Sequence, residues 1–349
     1  CLPCESLYFR QLEKDSHMDF LTSLKTLISE TAEALWGWGP GGFPLLVILL
    51  LGTGLLLTFM TGAVQFRKFG TGMKLVLGGA FKKDASKGPG DISPFQALMT
   101  SLSATVGNGN IAGVATAIAL GGPGAVFWMW LTGLFGMATK YSEAVLGVKY
   151  RVTAEDGSTA GGPMYYCEKG VGGKFGKFLG VFFAAAGIIA CLIGTGNMFQ
   201  ANSIAVSFTA MAKDYGWVAE GFDIWVQGGV GILLVILVGS VILGGVNRIG
   251  SVAEKLVPTM IGLYFLAAIV IIGMNFTHIP EALWLIVESA FTPKGALGGA
   301  VGIGIMQAVR FGVARGILSN ESGLGSAPIA HAAAKTESPV KQGQIAMMG

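Results

Sequence analysis

Charged residues are scarce in this sequence, because Asp, Glu, Lys and Arg make up only 12% of its 349 residues, against about 25% in soluble domains. The four cysteines are too few for a disulfide scaffold. Cys1 and Cys4 form a lone CxxC with no second pair, so free thiols are a better interpretation than a zinc site. The 23 basic and 20 acidic residues nearly balance and form no basic stripe, which excludes nucleic acid as a partner.

Catalytic motifs are missing as well. The sequence contains neither HExxH nor GxSxG, and His17, His278 and His331 have no metal-ligand spacing. The segment GNGNIAG is not a dinucleotide fingerprint, because Gly113 comes one residue too late and no strand precedes it. The sequence therefore predicts neither an enzyme nor a bound organic cofactor.

Long apolar runs are what the sequence has in abundance, with 52% hydrophobic residues. A helix needs about 20 apolar residues to cross the hydrocarbon core, so we predict a transmembrane domain over residues 41–349. Its predicted spans lie near residues 43–64, 92–120, 124–148, 178–211, 224–246, 256–276 and 296–317. Lys140 and Glu143 lie near the end of the third span, where snorkelling would bring them to the interface.

The segments outside the spans are predicted as follows. Residues 1–17 are polar and precede Met18, which indicates a non-native or upstream leader. Residues 18–40 show apolar side chains at helical spacing, which predicts an amphipathic helix on the membrane surface. Residues 279–291 are predicted to form a second interfacial helix.

The distribution of basic residues predicts how the chain is oriented in the membrane. With the N-terminus outside, 18 of the 23 Lys and Arg residues fall on the cytoplasmic side, as the retention of basic loops in the cytoplasm requires. The loops at 65–91 and 148–177 are then cytoplasmic. The loop at 212–223 is external and acidic.

Four consecutive poor helix formers interrupt the middle of the span 92–120, namely Gly107, Asn108, Gly109 and Asn110. Unwound backbone at this depth is tolerated only where protein or a water-filled cavity satisfies it. It would offer carbonyls to a cation and, at a helix restarting at Ile111, N–H groups to a carboxylate. Because no acidic side chain is near in sequence, a net-neutral zwitterion is the predicted ligand. The alternative is that the glycines only permit close helix packing.

Neutral polar residues mark the span 178–211, namely Thr195, Asn197, Gln200 and Asn202. They either join helices by hydrogen bonds, or they face a cavity, in which case Gln200 points to the same cavity as Gly109. In the last span, Gly312 and Gly316 form a small-xxx-small pair, which favours tight helix packing.

Four segments resemble a known family, in the order VGNGNIAGVATAIALGGPGAVFWMWLTGLFGMATKYSEAVLGVKYR, AGGPMYY, GTGNMFQANS and RGILSNESGLGSAPIAHAAAKT. The chain is similar over about Trp36 to Gly349 to the alanine or glycine:cation symporter family. The resemblance implies an all-α, leucine-transporter-like inverted-repeat helical bundle with a broken first core helix. It implies symport of a small neutral amino acid such as alanine or glycine with sodium, or with protons, across the prokaryotic inner membrane.

The resemblance also assigns site residues, which are Thr105, Gly107, Asn108, Gly109, Asn110, Gln200 and Met306 for the substrate. The backbone of Gly107 and Asn108 would contribute to an incomplete sodium site. Thr is frequent in the family at the place of Asn108, which bears on side-chain preference. Family members continue for roughly four more helices, so a C-terminally truncated chain is expected. A channel is the alternative function, although the charged ring of many pores is absent.

Overall fold

The computed structural model describes residues 22–23, 26–27, 29–31, 44–81, 88–155, 157–193, 197–219, 221–292 and 301–349. The predicted leader over residues 1–17 lies outside these ranges, and so does most of the predicted interfacial helix over 18–40, whose described residues are helical. The chain divides into two compact units, Cys1–Gly52 and Thr53–Gly349. The candidate site belongs to the second unit.

The described part of the chain is mostly helical. Its α-helices are α1 Leu45–Met60, α2 Val64–Arg67, α3 Phe69–Phe81, α4 Pro94–Thr105, α5 Ala112–Gly121, α6 Gly124–Lys149, α7 Pro163–Tyr166, α8 Gly173–Ile193, α9 Asn197–Asp214, α10 Asp223–Ile242, α11 Gly245–Met274, α12 Ile279–Phe291, α13 Val301–Asn320, α14 Ser326–Ala332 and α15 Pro339–Ala346. Two short strands, β1 Val152–Thr153 and β2 Thr159–Ala160, pair antiparallel with Val152 opposite Ala160.

Three of these helices are long and apolar enough to cross a membrane by length and composition, namely Gly173–Leu192, Asp223–Ile242 and Gly245–Met274. At 1.5 Å per residue, about 20 residues match a hydrocarbon core of about 30 Å. The described chain is thus a mostly helical membrane protein, and the other spans remain sequence predictions.

Some helix boundaries differ from the sequence prediction. The span 178–211 is covered by α8 and α9, and residues 194–196 between them lie outside the described ranges. Residues 247–255, which the predicted spans 224–246 and 256–276 leave as a connection, belong instead to the beginning of α11. The reason is local, because Gly245 takes a φ of 68°, a conformation that glycine adopts without a steric penalty. The chain therefore turns directly after α10.

Helix α6 is the central element of the second unit, and α12, α13, α14 and α15 pack against it. Glycines allow the close approach of α13. A Cβ atom built on Gly312 would lie 2.8 Å from Cβ of Trp128, and one on Gly316 would lie 2.9 Å from Cβ of Thr132. The packing role predicted for this glycine pair is confirmed.

Replacing Gly312 with Val should destabilise the protein by about 1–3 kcal/mol, because the added side chain overpacks the contact between α13 and α6. The measurement is thermal unfolding in detergent. Gly262→Val on α11 is the matched control, since nothing lies within 4 Å of a Cβ built there. Equal unfolding temperatures for the two variants would contradict this packing account.

The sequence prediction for Lys140 and Glu143 is wrong. These side chains do not reach an interface, because only 1% of Lys140 and 8% of Glu143 is exposed. Helices α14 and α15 cover the end of α6, so the buried charges take internal partners instead. Nζ of Lys140 donates to Oγ1 of Thr105 at 3.3 Å, and the carboxylate of Glu143 accepts from the backbone N–H of Gly323 at 3.3 Å.

The beginning of α4 is fixed by the chain that follows α14. Ile92 N donates to Ala333 O, and Lys335 N donates to Ile92 O at 2.7 Å. Arg151 ties the same segment to the end of α6, because its guanidinium donates to the carbonyls of Ala332, Ala334 and Thr336 at 2.8–3.0 Å. A capping box of Ser93 and Gln96 then begins the helix. The first half-helix is thereby held at its N-terminal end.

Candidate functional site

The helix break predicted at Gly107–Asn110 is confirmed. Helix α4 ends at Thr105, a 3₁₀ turn covers Asn108–Asn110, and α5 begins at Ala112. Ile111 is the N-cap of α5, one residue before the helix proper. The chain between the two half-helices is extended at Val106 and Gly107, so backbone groups are released from the helical ladder at this point.

The ends of the break are held by hydrogen bonds. Nδ2 of Asn110 donates to the carbonyl of Thr105 at 2.8 Å, and Oγ of Ser319 on α13 donates to the carbonyl of Gly109 at 3.4 Å. The carbonyls of Gly107 and Asn108 each accept one backbone N–H, at 3.0 and 3.2 Å. A carbonyl oxygen has two lone pairs, so each retains one acceptor site.

The break opens onto a cavity of about 990 Å³. Gly107, Asn108 and Asn110 form one side of it, and apolar side chains of α10 and α11 form most of the rest. Gln200 of α9 adds an amide group. Within the described part of the chain, this lining contains no Asp, Glu, Lys or Arg. The cavity therefore suits a ligand without net charge.

Gln200 lies next to the break. A Cβ atom built on Gly107 would lie only 3.1 Å from Nε2 of Gln200, so any larger residue there would push the amide away by a few tenths of an ångström. The structure thus brings Gln200 together with Gly107, Asn108 and Asn110. Gly109 is not in the lining of this cavity.

Asn108 carries a buried donor. Its Nδ2 atom has no hydrogen-bond partner among the described residues, and leaving such a donor unpaired costs about 1–3 kcal/mol. Asn108 also lines a second cavity of about 380 Å³, beside Ser203 and Ser207 of α9. The atom is not accessible from either cavity in this conformation, so a ligand acceptor such as a carboxylate would reach it only after the Asn108 side chain turned towards a cavity.

Three of the residues predicted for the site lie outside the lining of the larger cavity, namely Thr105, Gly109 and Met306. The hydroxyl of Thr105 donates to Ser101 O at 3.2 Å and accepts from Lys140. Met306 lies half-buried on α13. Thr195, which the sequence grouped with Gln200, lies outside the described residues.

Sequence reasoning did not assign Lys140 and Ser319 to the surroundings of the break. For Lys140 a signal was present, because an ionisable residue inside a predicted span indicates a functional role by default. Nothing in the sequence distinguishes Ser319 from other serines. Among the described residues, no group of three or more His, Cys, Asp or Glu could hold a metal ion. The oxygen atoms at the break belong to backbone carbonyls, to side-chain amides and to the hydroxyl groups of Thr105 and Ser319.

A mostly helical membrane protein with a broken helix beside a neutral cavity has the features of a small-molecule transporter. Comparison with known proteins gives the family. The model of the sodium:alanine symporter family matches residues 21–349, and the chain belongs to this family of transport proteins, which are not enzymes.

Individual relatives agree with this assignment. The chain is 48% identical over 327 residues to an "Uncharacterized transporter" of Haemophilus influenzae, covering 94% of this chain and 66% of that protein. It is 47% identical over 334 residues to "Sodium/alanine symporter AgcS" of Methanococcus maripaludis, covering 95% and 67%. It is 36% identical over 325 residues to "Amino-acid carrier protein AlsT" of Bacillus subtilis, covering 93% and 63%. The chain thus spans about two thirds of the length of these curated relatives.

Proposed function

We propose that the protein is a secondary active transporter that moves a small neutral amino acid, such as alanine or glycine, into the cell together with sodium. The observation that carries this proposal is a helix break whose residues line a neutral cavity together with Gln200. The family, and the printed name of the Methanococcus maripaludis relative, support sodium and alanine as the transported pair.

The two charged ends of a zwitterion have separate partners in this proposal. The carboxylate accepts from Nδ2 of Asn108 and from the N–H groups in the first turn of α5, which have no intrahelical acceptors. The ammonium group donates to the side-chain oxygen of Gln200. A substrate with a charged side chain would lack a counter-charge in the cavity, which favours small neutral amino acids.

The free lone pairs of the Gly107 and Asn108 carbonyls are the proposed contribution of the break to sodium binding. Oxygen ligands suit a hard cation, and a bound sodium ion there would lie close to the substrate carboxylate. Binding of one would then favour binding of the other, as coupling requires.

The finer architecture that we propose is the inverted-repeat bundle of leucine-transporter type. Its support is the pair of half-helices α4 and α5, whose facing ends lie beside the cavity. Half-helix ends at the ion and substrate site are typical of such bundles.

Uptake by reconstituted protein that has the full length of its curated relatives tests the proposed function. Labelled alanine should accumulate in proteoliposomes under an inward sodium gradient and should not accumulate when potassium replaces sodium. Saturation and stereoselectivity are expected of a transporter. Unitary currents without saturable uptake would support the alternative function, a channel.

We also propose that the N-terminus lies outside the cell, in keeping with the distribution of basic residues. In a protein without native cysteines, Ala219→Cys should react with an impermeant maleimide in intact cells, whereas Ala154→Cys should react only after permeabilisation. Both positions are exposed, so burial does not limit the reaction. Labelling of Ala154→Cys alone in intact cells would invert the topology.

A further inference from the structure

Lys140 is the most deeply buried charged side chain near the break. It lies on α6 with 1% of its surface exposed, and its ammonium group donates to the hydroxyl of Thr105 at 3.3 Å. Thr105 is the last residue of α4, where the helix dipole carries its negative end. A cation at this place stabilises the end of the half-helix.

Thr105 links Lys140 to the break by hydrogen bonds. Its hydroxyl donates to Ser101 O, so a lone pair of the same oxygen is left to accept from Lys140. Its carbonyl accepts from Nδ2 of Asn110 at 2.8 Å. One residue therefore connects the buried ammonium group on α6 to the side chain that closes the break.

Burial opposes a charge on Lys140, and the carboxylates of Glu321 and Glu143 offset this cost only in part. Glu143 lies one turn further along the same helix and is also buried. Glu321 follows α13 directly, and its carboxylate accepts from Oγ of Ser326 at 2.8 Å.

We propose that Lys140 is a positioning residue for substrate binding: through Thr105 and Asn110 it holds the break at the distance from Gln200 at which both ends of an amino acid are bound. This role rests on the function proposed for the cavity. Lys140 itself is not in the cavity lining, so it acts through Thr105 and not by contact with the substrate.

Variants at both ends of the Lys140–Thr105 contact test the role. Lys140→Met and Thr105→Val should each raise the KM for alanine about tenfold and leave the maximal rate within about twofold. Thr105→Ser keeps the hydroxyl and should retain the wild-type KM. Because the two groups act through one contact, Lys140→Met with Thr105→Val should raise KM about tenfold, not about a hundredfold.

A further pair of variants separates positioning from folding. Lys140→Met leaves Glu143 without its buried counter-charge and should lower the unfolding temperature. Adding Glu143→Gln removes that charge and should restore the unfolding temperature, while KM stays about tenfold raised. If the double variant recovered the wild-type KM as well as the wild-type unfolding temperature, Lys140 would only balance the charge of Glu143, and the proposal would be overturned.

Two further results would separate failure of the positioning role from failure of the proposed function. Wild-type KM values in both Lys140→Met and Thr105→Val, in a protein whose wild-type form transports alanine, would refute the positioning role alone. Absence of sodium-dependent uptake by the wild-type protein would refute the proposed function instead. Hydrogen exchange of the amides at 106–111 tests the positioning without transport, since it should be faster in Lys140→Met, and unchanged exchange would refute it.

Discussion

Alanine binding should be lost in Asn108→Asp, with an affinity decrease of at least about 100-fold. The substitution keeps the size of the side chain but removes the buried Nδ2 donor. A hydrogen bond to a charged group contributes about 1.5–3 kcal/mol, and two negative charges about 4 Å apart repel by about 4 kcal/mol at an effective dielectric constant of 20. The two effects act in the same direction on a bound carboxylate.

Titration of labelled alanine into purified protein measures this loss. Asn275→Asp makes the same chemical change at an exposed residue whose amide donates to Ile271 O, outside the cavity lining, and it should bind as the wild type does. Comparable affinity in Asn108→Asp would show that the substrate carboxylate is bound elsewhere.

Gly107→Val should be the most damaging change in the glycines of the break, with alanine uptake reduced by about 100-fold. A Cβ atom here already meets Nε2 of Gln200 at 3.1 Å. A β-branched side chain would displace the amide from the break and would fill cavity volume beside it. The neighbouring Gly109 has more room, because the nearest atom to a Cβ built there is Oγ of Ser319 at 3.7 Å.

Gly107→Ala and Gly109→Ala form a matched pair for this prediction. The first should reduce uptake by about tenfold and the second by no more than about twofold, with similar unfolding temperatures. If Gly109→Ala were the more damaging of the two, the substrate would lie on the other side of the break, towards Ser319 and α13.

The broken helix could be predicted from sequence because its cause is local. Four weak helix formers in an apolar span leave few alternatives, and the structure ends α4 and begins α5 within two residues of them. The glycine pair on α13 was predictable for a similar reason, since the spacing of Gly312 and Gly316 alone defines one narrow helix face.

The surroundings of the break could not be predicted in the same way. Snorkelling of Lys140 depends on whether the end of α6 is open, and α14 and α15, which cover it, are more than 170 residues later in the chain. The approach of Gln200 to Gly107 depends in the same way on how α9 lies against the break, which no local pattern specifies. Tertiary packing determines both the burial of Lys140 and the position of Gln200.

The most direct test of the account is the affinity of purified protein for alanine, in sodium and in a sodium-free buffer, for the wild type and Gln200→Ala. The wild type should bind saturably only with sodium, and Gln200→Ala should weaken binding about 5- to 150-fold, as expected for loss of a hydrogen-bonding partner of a charged group. Gln227→Ala on α10, outside the cavity lining, is the control and should bind normally. Unchanged sodium-dependent affinity in Gln200→Ala, with an unchanged unfolding temperature, would contradict the placement of the substrate at the break.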